Sequence, residues 1–220
     1  MQPRPFDGLG ANGIMKSEPM DFYFDFISLY GYFASLRIEA LAARHGRSVD
    51  WHGMLLGVAV MKTMGLKPLL ETPLKSDYVI RDCARYARRH GLELKRQLTD
   101  PMMDPRPAAR AFCWVKRHHP GAEGAFARAV YERYWRLGRD LADGAEIAAV
   151  AETTPALGID AGALRAGLDS DEARADLREA VSQSLERGVF GSPFIVVDGE
   201  PFWGSDRLDL VDEWLGRGGW

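Results

Sequence analysis

The chain has 220 residues, of which 46% are hydrophobic and 27% are charged. These totals suit a globular protein of one domain, or of one domain with a large insertion. The formal net charge of −3 gives no attraction to nucleic acid or to an anionic membrane, and no apolar run reaches the ~18 residues that span a bilayer. We therefore expect neither nucleic acid nor membrane as a partner.

The first twenty residues are rich in Gly and Pro and show no hydrophobic period. They lack the apolar core of a secretion signal. We expect residues 1–20 to be a disordered arm, within which Met15 and Met20 are both plausible start sites.

The chain contains two cysteines, Cys83 and Cys113, each inside a segment with a helical pattern. They are too far apart in sequence for a CxxC redox pair, and free cysteine usually packs as a small hydrophobic residue. We expect two buried thiols and a reducing, cytoplasmic location.

The first elements follow in the order strand, helix, strand. In DFYFDF, residues 21–26, the phenylalanines at 22, 24 and 26 alternate with Tyr23 and Asp25. This period of two predicts a strand. The next apolar residues recur at helical spacing up to a predicted helix end at His45-Gly46. They are Leu29, Tyr32, Phe33, Leu36 and Ala40. The segment SVDWHGMLL predicts the second strand.

The middle of the chain, from about Lys75 to Arg187, is helical in pattern almost throughout. The run TDPMMDPRP is a loop, since its prolines cannot continue a helix. Asp169, with Glu172 three residues later, has the spacing of a capping box that would open the last helix of this block.

The end of the chain returns to strands. FIVV and EPFW are joined by Asp198-Gly199, a strong signal for a β-hairpin, and Pro201 makes the second run an edge strand. A closing helix follows and ends at Gly216. This order predicts an α/β protein of thioredoxin-like fold with a large all-helical insertion. Residues 21–60 and 188–220 would form the thioredoxin-like domain, and residues 61–187 the insertion.

Four stretches add a resemblance to this order: FDFISLYGY, GRDLADGAEIAAVAE, GVFGSPFIVVDG and FWGSDRLDLVDEWL. Together they resemble the 2-hydroxychromene-2-carboxylate isomerase family, which is related to the kappa-class glutathione transferases and more distantly to DsbA-like proteins. The resemblance covers nearly the whole chain from about Asp21. It implies a homodimer that uses glutathione as cofactor to isomerise a small aromatic carboxylate.

Ser28 lies where the first strand gives way to the first helix, and there DsbA-like enzymes carry their reactive cysteine. The resemblance assigns the Ser28 hydroxyl a catalytic hydrogen bond to the sulfur of glutathione. The alternative is a plain N-cap serine. A thiol–disulfide oxidoreductase is disfavoured, because no cysteine is near Ser28 in the sequence.

The resemblance also implies the residues that hold glutathione. Pro193 would be the cis-proline of a thioredoxin-like fold, and the backbone of Ser192 would pair with the cysteinyl part of the tripeptide. At the last helix, Ser205 would suit the γ-glutamyl carboxylate and Asp206 the ammonium group, although both residues can instead be caps. Trp203 and Gly204 adjoin them.

Lys62 matches a family lysine that can meet an anionic substrate or the glycine carboxylate of glutathione; otherwise it is a solvated surface residue. Some positions depart from the family pattern: Leu29 replaces a common proline, Leu66 an asparagine, and Pro107-Ala108 an Asn-Thr pair. We expect these changes to cluster where cofactor and substrate meet, which leaves the substrate open.

Two other functions stay open from the sequence. One is a kappa-like transferase, in which glutathione ends in the product, and the other is a non-catalytic thioredoxin-like binding module. The arginines at 81, 85, 88 and 89 form a helical face that we expect to be solvated. His118-His119 has no partners at metal-ligand spacing, so we expect no metal.

Overall fold

The computed structural model describes residues 18–220. Its four-stranded sheet contains β1 (Met20–Phe24), β2 (Val49–Gly53), β3 (Phe194–Val197) and β4 (Glu200–Trp203). The spatial order is β2-β1-β3-β4, with β1 parallel to β2 and antiparallel to β3, and β3 antiparallel to β4. This arrangement is the thioredoxin topology, and it confirms the predicted fold class.

Between β1 and β2 lie two helices, α1 (Leu29–Ser35) and α2 (Ile38–Arg44). Six helices of the inserted block separate β2 from β3. They are α3 (Lys75–Arg89), α4 (Arg106–His118), α5 (Glu123–Tyr131), α6 (Gly144–Thr153), α7 (Ala161–Leu168) and α8 (Asp171–Glu186). The last helix is α9 (Leu208–Arg217), and π-helical turns occupy Gly57–Thr63 and Glu132–Arg136.

The first strand is confirmed with a change at each end, since β1 also ends at Phe24 and not at Phe26. Met20 is fully buried and pairs with Val49, so β1 begins inside the segment that we interpreted as an arm. Residues 1–17 of that arm lie outside the described residues. Phe22 and Phe24 face one core, whereas Tyr23 belongs to a smaller cluster on the other face, as the period of two requires.

Three predicted helix boundaries were wrong. The first helix is broken after Ser35, whose hydroxyl donates to the Tyr32 carbonyl oxygen at 2.6 Å and competes with the N–H that would continue the helix. The cap of α8 is Ser170, which accepts a bond from the Ala173 N–H, whereas Asp169 ends α7. The last helix runs through Gly216 and ends at Gly218, with a φ of 75°.

The hairpin between β3 and β4 is confirmed. Asp198 and Gly199 have φ values of 53° and 87°, and a type I′ turn requires positive φ at both positions. β4 is an outer strand of the sheet, so Pro201 removes a donor only where the sheet ends.

The sheet and the inserted helices share one hydrophobic core. The Phe24 ring of β1 meets Phe112 of α4 edge to face, with ring centroids 4.9 Å apart, and contacts Tyr131 of α5 at 5.8 Å. Because aromatic contacts of this kind join the two parts, the insertion packs as a continuation of the thioredoxin-like layer. The boundaries at residues 60 and 188 stay a prediction. Across residues 18–220, every helix is too short or too polar to cross a bilayer.

Candidate active site

Ser28 is the N-cap of α1 and is 7% exposed. Its hydroxyl oxygen accepts a hydrogen bond from the Gly31 N–H at 3.0 Å, and its hydrogen is donated to the Ser192 carbonyl oxygen at 2.9 Å. Ser28 therefore is an N-cap serine, as one of the two interpretations predicted. The second bond has no part in capping, because it joins the start of α1 to a loop 164 residues away.

The loop that receives this bond contains the predicted cis-proline. The Ser192–Pro193 peptide bond is cis, and it lies directly before β3. The Ser192 hydroxyl accepts a bond from the Asp25 N–H at 3.0 Å, so Ser192 is held through its side chain and its carbonyl oxygen. Ser28, Ser192 and Pro193 thus come together as the sequence predicted.

Gly31 is what allows this close approach. A Cβ atom at position 31 would lie 2.5 Å from the Tyr131 hydroxyl oxygen and 2.9 Å from the Ser192 hydroxyl oxygen. Real Cβ atoms do not approach so closely, so any side chain would push the proline loop and α5 away from α1. A glycine in the first turn of a helix is otherwise unfavourable.

Asp25 is the residue that the sequence analysis missed. Its carboxyl oxygens accept bonds from the Leu56 N–H at 2.7 Å and the Ile27 N–H at 3.2 Å. Its carbonyl oxygen accepts a bond from the Tyr131 hydroxyl at 2.9 Å. Asp25 therefore ties the end of β1 to the segment after β2 and to the insertion. The available signal was an acidic residue between Phe24 and Phe26, in a run that is otherwise mostly aromatic.

The Asp25 carboxyl is also electrostatically unusual. It is 2% exposed, and its burial raises the pKa to about 7, although the two N–H bonds act in the opposite direction. The charge of Asp104 adds to the rise. A group that titrates near neutral pH, so close to Ser28 in the sequence, makes this end of the sheet sensitive to pH.

The second group of predicted residues forms the turn after β4. The Gly204 N–H donates to the Pro193 carbonyl oxygen at 3.1 Å, so this turn is fastened to the proline loop. Ser205 and Asp206 lie in a 3₁₀ turn that packs against α1 and precedes α9, rather than in the helix itself. Trp203 is 56% exposed beside them.

The capping alternative for Ser205 and Asp206 was wrong. Neither the 3₁₀ turn nor α9 is capped by a side-chain hydrogen bond. The Asp206 carboxylate is exposed and lies 3.4 Å from the guanidinium of Arg207, while Ser205 is 5% exposed. The Ser205 hydroxyl and the Asp206 carboxylate therefore do not cap either helical segment.

The remaining predicted positions differ in their exposure. Lys62 is exposed in the π-helical turn, and its side chain forms no hydrogen bond or ion pair with any residue in the range 18–220. Among the departures from the family pattern, Leu29 and Ala108 are buried in the main core, whereas Leu66 is 57% exposed. The expectation that these departures cluster where cofactor and substrate meet stays a prediction.

Within the described chain, one cluster has the geometry of metal ligands: Asp21, Asp50 and His52, near the start of the two parallel strands. Two cations already contact it, since the Lys116 ammonium lies 2.5 Å from Asp50 and the Arg187 guanidinium 3.1 Å from Asp21. Although burial lowers the pKa of His52, its bonds to both carboxylates raise it overall. The cluster is thus a charge-balanced ion-pair network.

Comparison with known proteins agrees with the fold. The model of the DSBA-like thioredoxin domain matches residues 20–216. The 2-hydroxychromene-2-carboxylate isomerase of Sphingobium xenophagum is 32% identical over 90% of this chain and 98% of its own length. The enzyme of the same name from Pseudomonas putida is 28% identical over 90% and 94%. A solved structure of 2-hydroxychromene-2-carboxylate isomerase covers 90% of this chain and 94% of its own, with a TM-score of 0.75 and 27% identity.

These matches define both the class of the protein and its family. A DSBA-like thioredoxin domain fills the chain from the first residue of β1 to the last helix, and a serine stands at the N-terminus of its first helix. Within that class, the chain belongs to the 2-hydroxychromene-2-carboxylate isomerase family, since one member is 32% identical over almost its whole length.

Proposed function

We propose that this protein is a glutathione-dependent isomerase that interconverts the cis and trans forms of a small aromatic carboxylate of the 2-hydroxychromene-2-carboxylate type. The names of the relatives supply the reaction, which belongs to aromatic catabolism. The observation that carries the proposal is the bond between the Ser28 hydroxyl and the Ser192 carbonyl oxygen before cis-Pro193. Ser28 is a hydroxyl donor beside a backbone acceptor, and no cysteine lies near it in the sequence.

The polar groups present fit glutathione. The Ser192 carbonyl oxygen is an acceptor of the kind that an added peptide strand uses. The Asp206 carboxylate has no capping role and suits the ammonium of the γ-glutamyl group, while Ser205 suits its carboxylate. The hydrogen bond from the Gly204 N–H to the Pro193 carbonyl oxygen connects the turn of Ser205 and Asp206 to the loop that contains Ser192. Trp203 adjoins both, and Lys62 is an exposed cation on the segment after β2.

When bound, glutathione supplies a thiol that adds reversibly to a conjugated double bond, which makes rotation about that bond possible. Ser28 can donate its single hydrogen to only one acceptor at a time. In the structure that acceptor is the Ser192 carbonyl oxygen. This carbonyl oxygen has a second acceptor position for a peptide N–H, and the Ser28 hydroxyl would have to leave it in order to rotate toward a sulfur.

The hydroxyl acts more by position than by acidity. Lowering a thiol pKa from ~8.5 to ~6.5 raises the thiolate fraction at pH 7 about 25-fold. The accompanying loss of nucleophilicity lowers the reactivity of each thiolate roughly eight-fold, so the net gain in rate is about three-fold. Alignment of nucleophile and substrate must provide most of the acceleration, and the fixed N-cap geometry of Ser28 serves that purpose.

The decisive experiment follows glutathione over many turnovers. The purified protein is given the 2-hydroxychromene-2-carboxylate substrate with glutathione far below the substrate concentration, and both isomers and free thiol are measured by chromatography. We expect many turnovers per glutathione and a constant free-thiol concentration. Loss of thiol in proportion to product would instead identify a kappa-like transferase. Binding of glutathione without either reaction would identify a non-catalytic module.

Two further parts of the proposal concern the assembly and the compartment. A homodimer is supported by exposed apolar side chains in the π-helical turn, in the segment that follows it and at the start of α3: Met61, Met64, Leu66, Leu69, Leu74 and Tyr78. Sedimentation analysis at micromolar concentration tests it. A cytoplasmic location is supported by the two cysteines, which are free and buried, so that burial raises both thiol pKa values to about 12.

A further inference from the structure

A groove of about 280 Å³ opens between α4, α8 and the segment that follows β2. Its aliphatic lining comes from Leu55, Val58, Leu177 and Val181. The volume is near the lower end of the ~300–1,000 Å³ that ligand pockets usually have. An apolar lining of this size suits a small ligand with a hydrocarbon body.

Four guanidinium groups line the same groove. Two are spaced four residues apart on α4, Arg106 and Arg110, and two have the same spacing on α8, Arg174 and Arg178. Like charges at this spacing destabilise a helix, so each helix carries an unfavourable pair on the side that faces the groove.

The carboxylates nearby do not fully balance these charges. Arg106 is paired with Asp104 at 2.6 Å, but the shortest N–O distances are 3.5 Å for Arg110 to Asp169 and 3.5 Å for Arg174 to Asp171. Both are at the outer limit of a hydrogen bond. Arg178 forms no ion pair with any residue from 18 to 220. The groove therefore has positive charge without a close carboxylate partner beside an apolar surface.

Arg110 shows that this charge is partly desolvated. Its side chain is 20% exposed, and its Nε atom is buried without a hydrogen-bond partner among residues 18–220. A buried donor without an acceptor costs free energy that a bound anion would recover. Because a guanidinium presents its N–H groups in one plane, a carboxylate can meet it through two parallel bonds.

The groove adjoins the site around Ser28. Leu55 precedes Leu56, whose N–H is bonded to the Asp25 carboxyl at 2.7 Å. On the other wall, Arg106 is paired with Asp104. The wall that carries Leu55 therefore leads to the end of β1, where Asp25 lies.

We propose that this groove binds a small aromatic carboxylate, with its ring on the aliphatic lining and its carboxylate on Arg178 and Arg110. The identification of this ligand with the isomerase substrate rests on the proposed function, whereas the binding itself does not. Inorganic phosphate fits less well, because it would leave the aliphatic lining of Leu55 and Val181 uncovered.

Calorimetric titration without glutathione tests the proposal. The probes are 1-naphthoate, the neutral 1-naphthalenemethanol and inorganic phosphate, each at low ionic strength. We expect 1-naphthoate to bind and the other two to bind at least ten-fold more weakly. Arg178→Gln should weaken 1-naphthoate binding about ten-fold, since a hydrogen bond to a charged group is worth about that factor. Arg174→Gln serves as a second variant, with a smaller loss of the same kind.

Arg88→Gln is the matched control, because Arg88 is another exposed helical arginine without an ion pair in the described range, but it lies on α3 outside the groove. It should leave binding unchanged. Absence of heat with 1-naphthoate, equal binding of the neutral alcohol or of phosphate, or equal losses in Arg88→Gln and Arg178→Gln would overturn the proposal. Since glutathione is absent, none of these results bears on the isomerase activity. A failure to detect that activity would likewise not contradict binding of the carboxylate in the groove.

Discussion

The two segments that we propose to bind glutathione differ in how far their polar groups are already satisfied. At the start of α1, Ser28 is 7% exposed and uses its hydroxyl both as acceptor and as donor. In the turn before α9, Asp206 is exposed, and its carboxylate has only the adjacent Arg207 as an ionic partner in the described chain.

This difference separates two tasks. A closed cluster of hydrogen bonds fixes the position of a reacting group, but each bond has to be exchanged when a ligand enters. An open carboxylate contributes affinity and little to the fold. Changes in the closed cluster should therefore affect stability and turnover, and changes in the open turn should affect only binding.

The largest expected effect is the pH dependence of stability caused by Asp25. Its carboxyl ionises near 3.8 when unfolded and near 7 when buried in the native state. Between these values the native protein holds more protons, so its free energy of unfolding falls as pH rises. Removing the carboxyl in Asp25→Asn should abolish this fall, which amounts to about 4 kcal/mol at most.

Urea unfolding of both proteins at several pH values from 4 to 8 measures the effect. The amide introduced by Asp25→Asn has one acceptor oxygen, whereas the Leu56 and Ile27 N–H groups use both carboxyl oxygens of Asp25, so the absolute stability also changes. The comparison therefore uses the slope of the free energy of unfolding against pH. Parallel curves for the two proteins would show that burial does not raise the pKa of the Asp25 carboxyl.

The next largest effect is expected from Ser28→Ala. The variant lacks the donor that would contact the sulfur and also the bond to Ser192, so kcat should fall about 100-fold, the loss typical of a missing preorganised donor. The KM for glutathione should change much less, because Ser205 and Asp206 are retained. Steady-state assays of isomerisation with varied glutathione measure both constants.

Ser170→Ala is the matched control, because Ser170 is also an N-cap serine and accepts a bond from the Ala173 N–H at 3.1 Å. Both variants should lose about 1 kcal/mol of stability from the missing cap. Only the Ser28 variant should lose turnover. Equal activity in the two variants would reduce Ser28 to a structural cap and remove its proposed role.

The sequence predicted the parts of the fold that depend on local pattern. The alternation of Phe22 and Phe24 indicated β1, and Asp198-Gly199 indicated the hairpin, since both signals lie within a few residues. The break after Ser35 was missed because it arises from a side-chain bond to the Tyr32 carbonyl oxygen. Apolar spacing alone cannot reveal that competition.

The candidate site was predicted only where a motif marks it. Ser28, Pro193 and Asp206 were chosen from stretches that resemble the family, and the predicted cis bond before Pro193 is confirmed. Asp25 was missed because its importance comes from partners far away in sequence, such as Tyr131. Leu29 and Ala108 show what a motif alone leaves out: they depart from the family pattern at positions that are buried in the core, and the sequence did not predict that burial.

The smallest expected effect tests the open turn. Asp206→Asn removes the charge that we assign to the ammonium of glutathione, so the KM for glutathione should rise about five-fold, as expected for an exposed ion pair, with kcat unchanged. Asp209→Asn is the matched control, since Asp209 is an exposed carboxylate three residues later that pairs with Arg37. It should leave KM as it is. If both variants raised KM equally, the turn would act through its general negative charge, and the specific contact between Asp206 and the ammonium would be excluded.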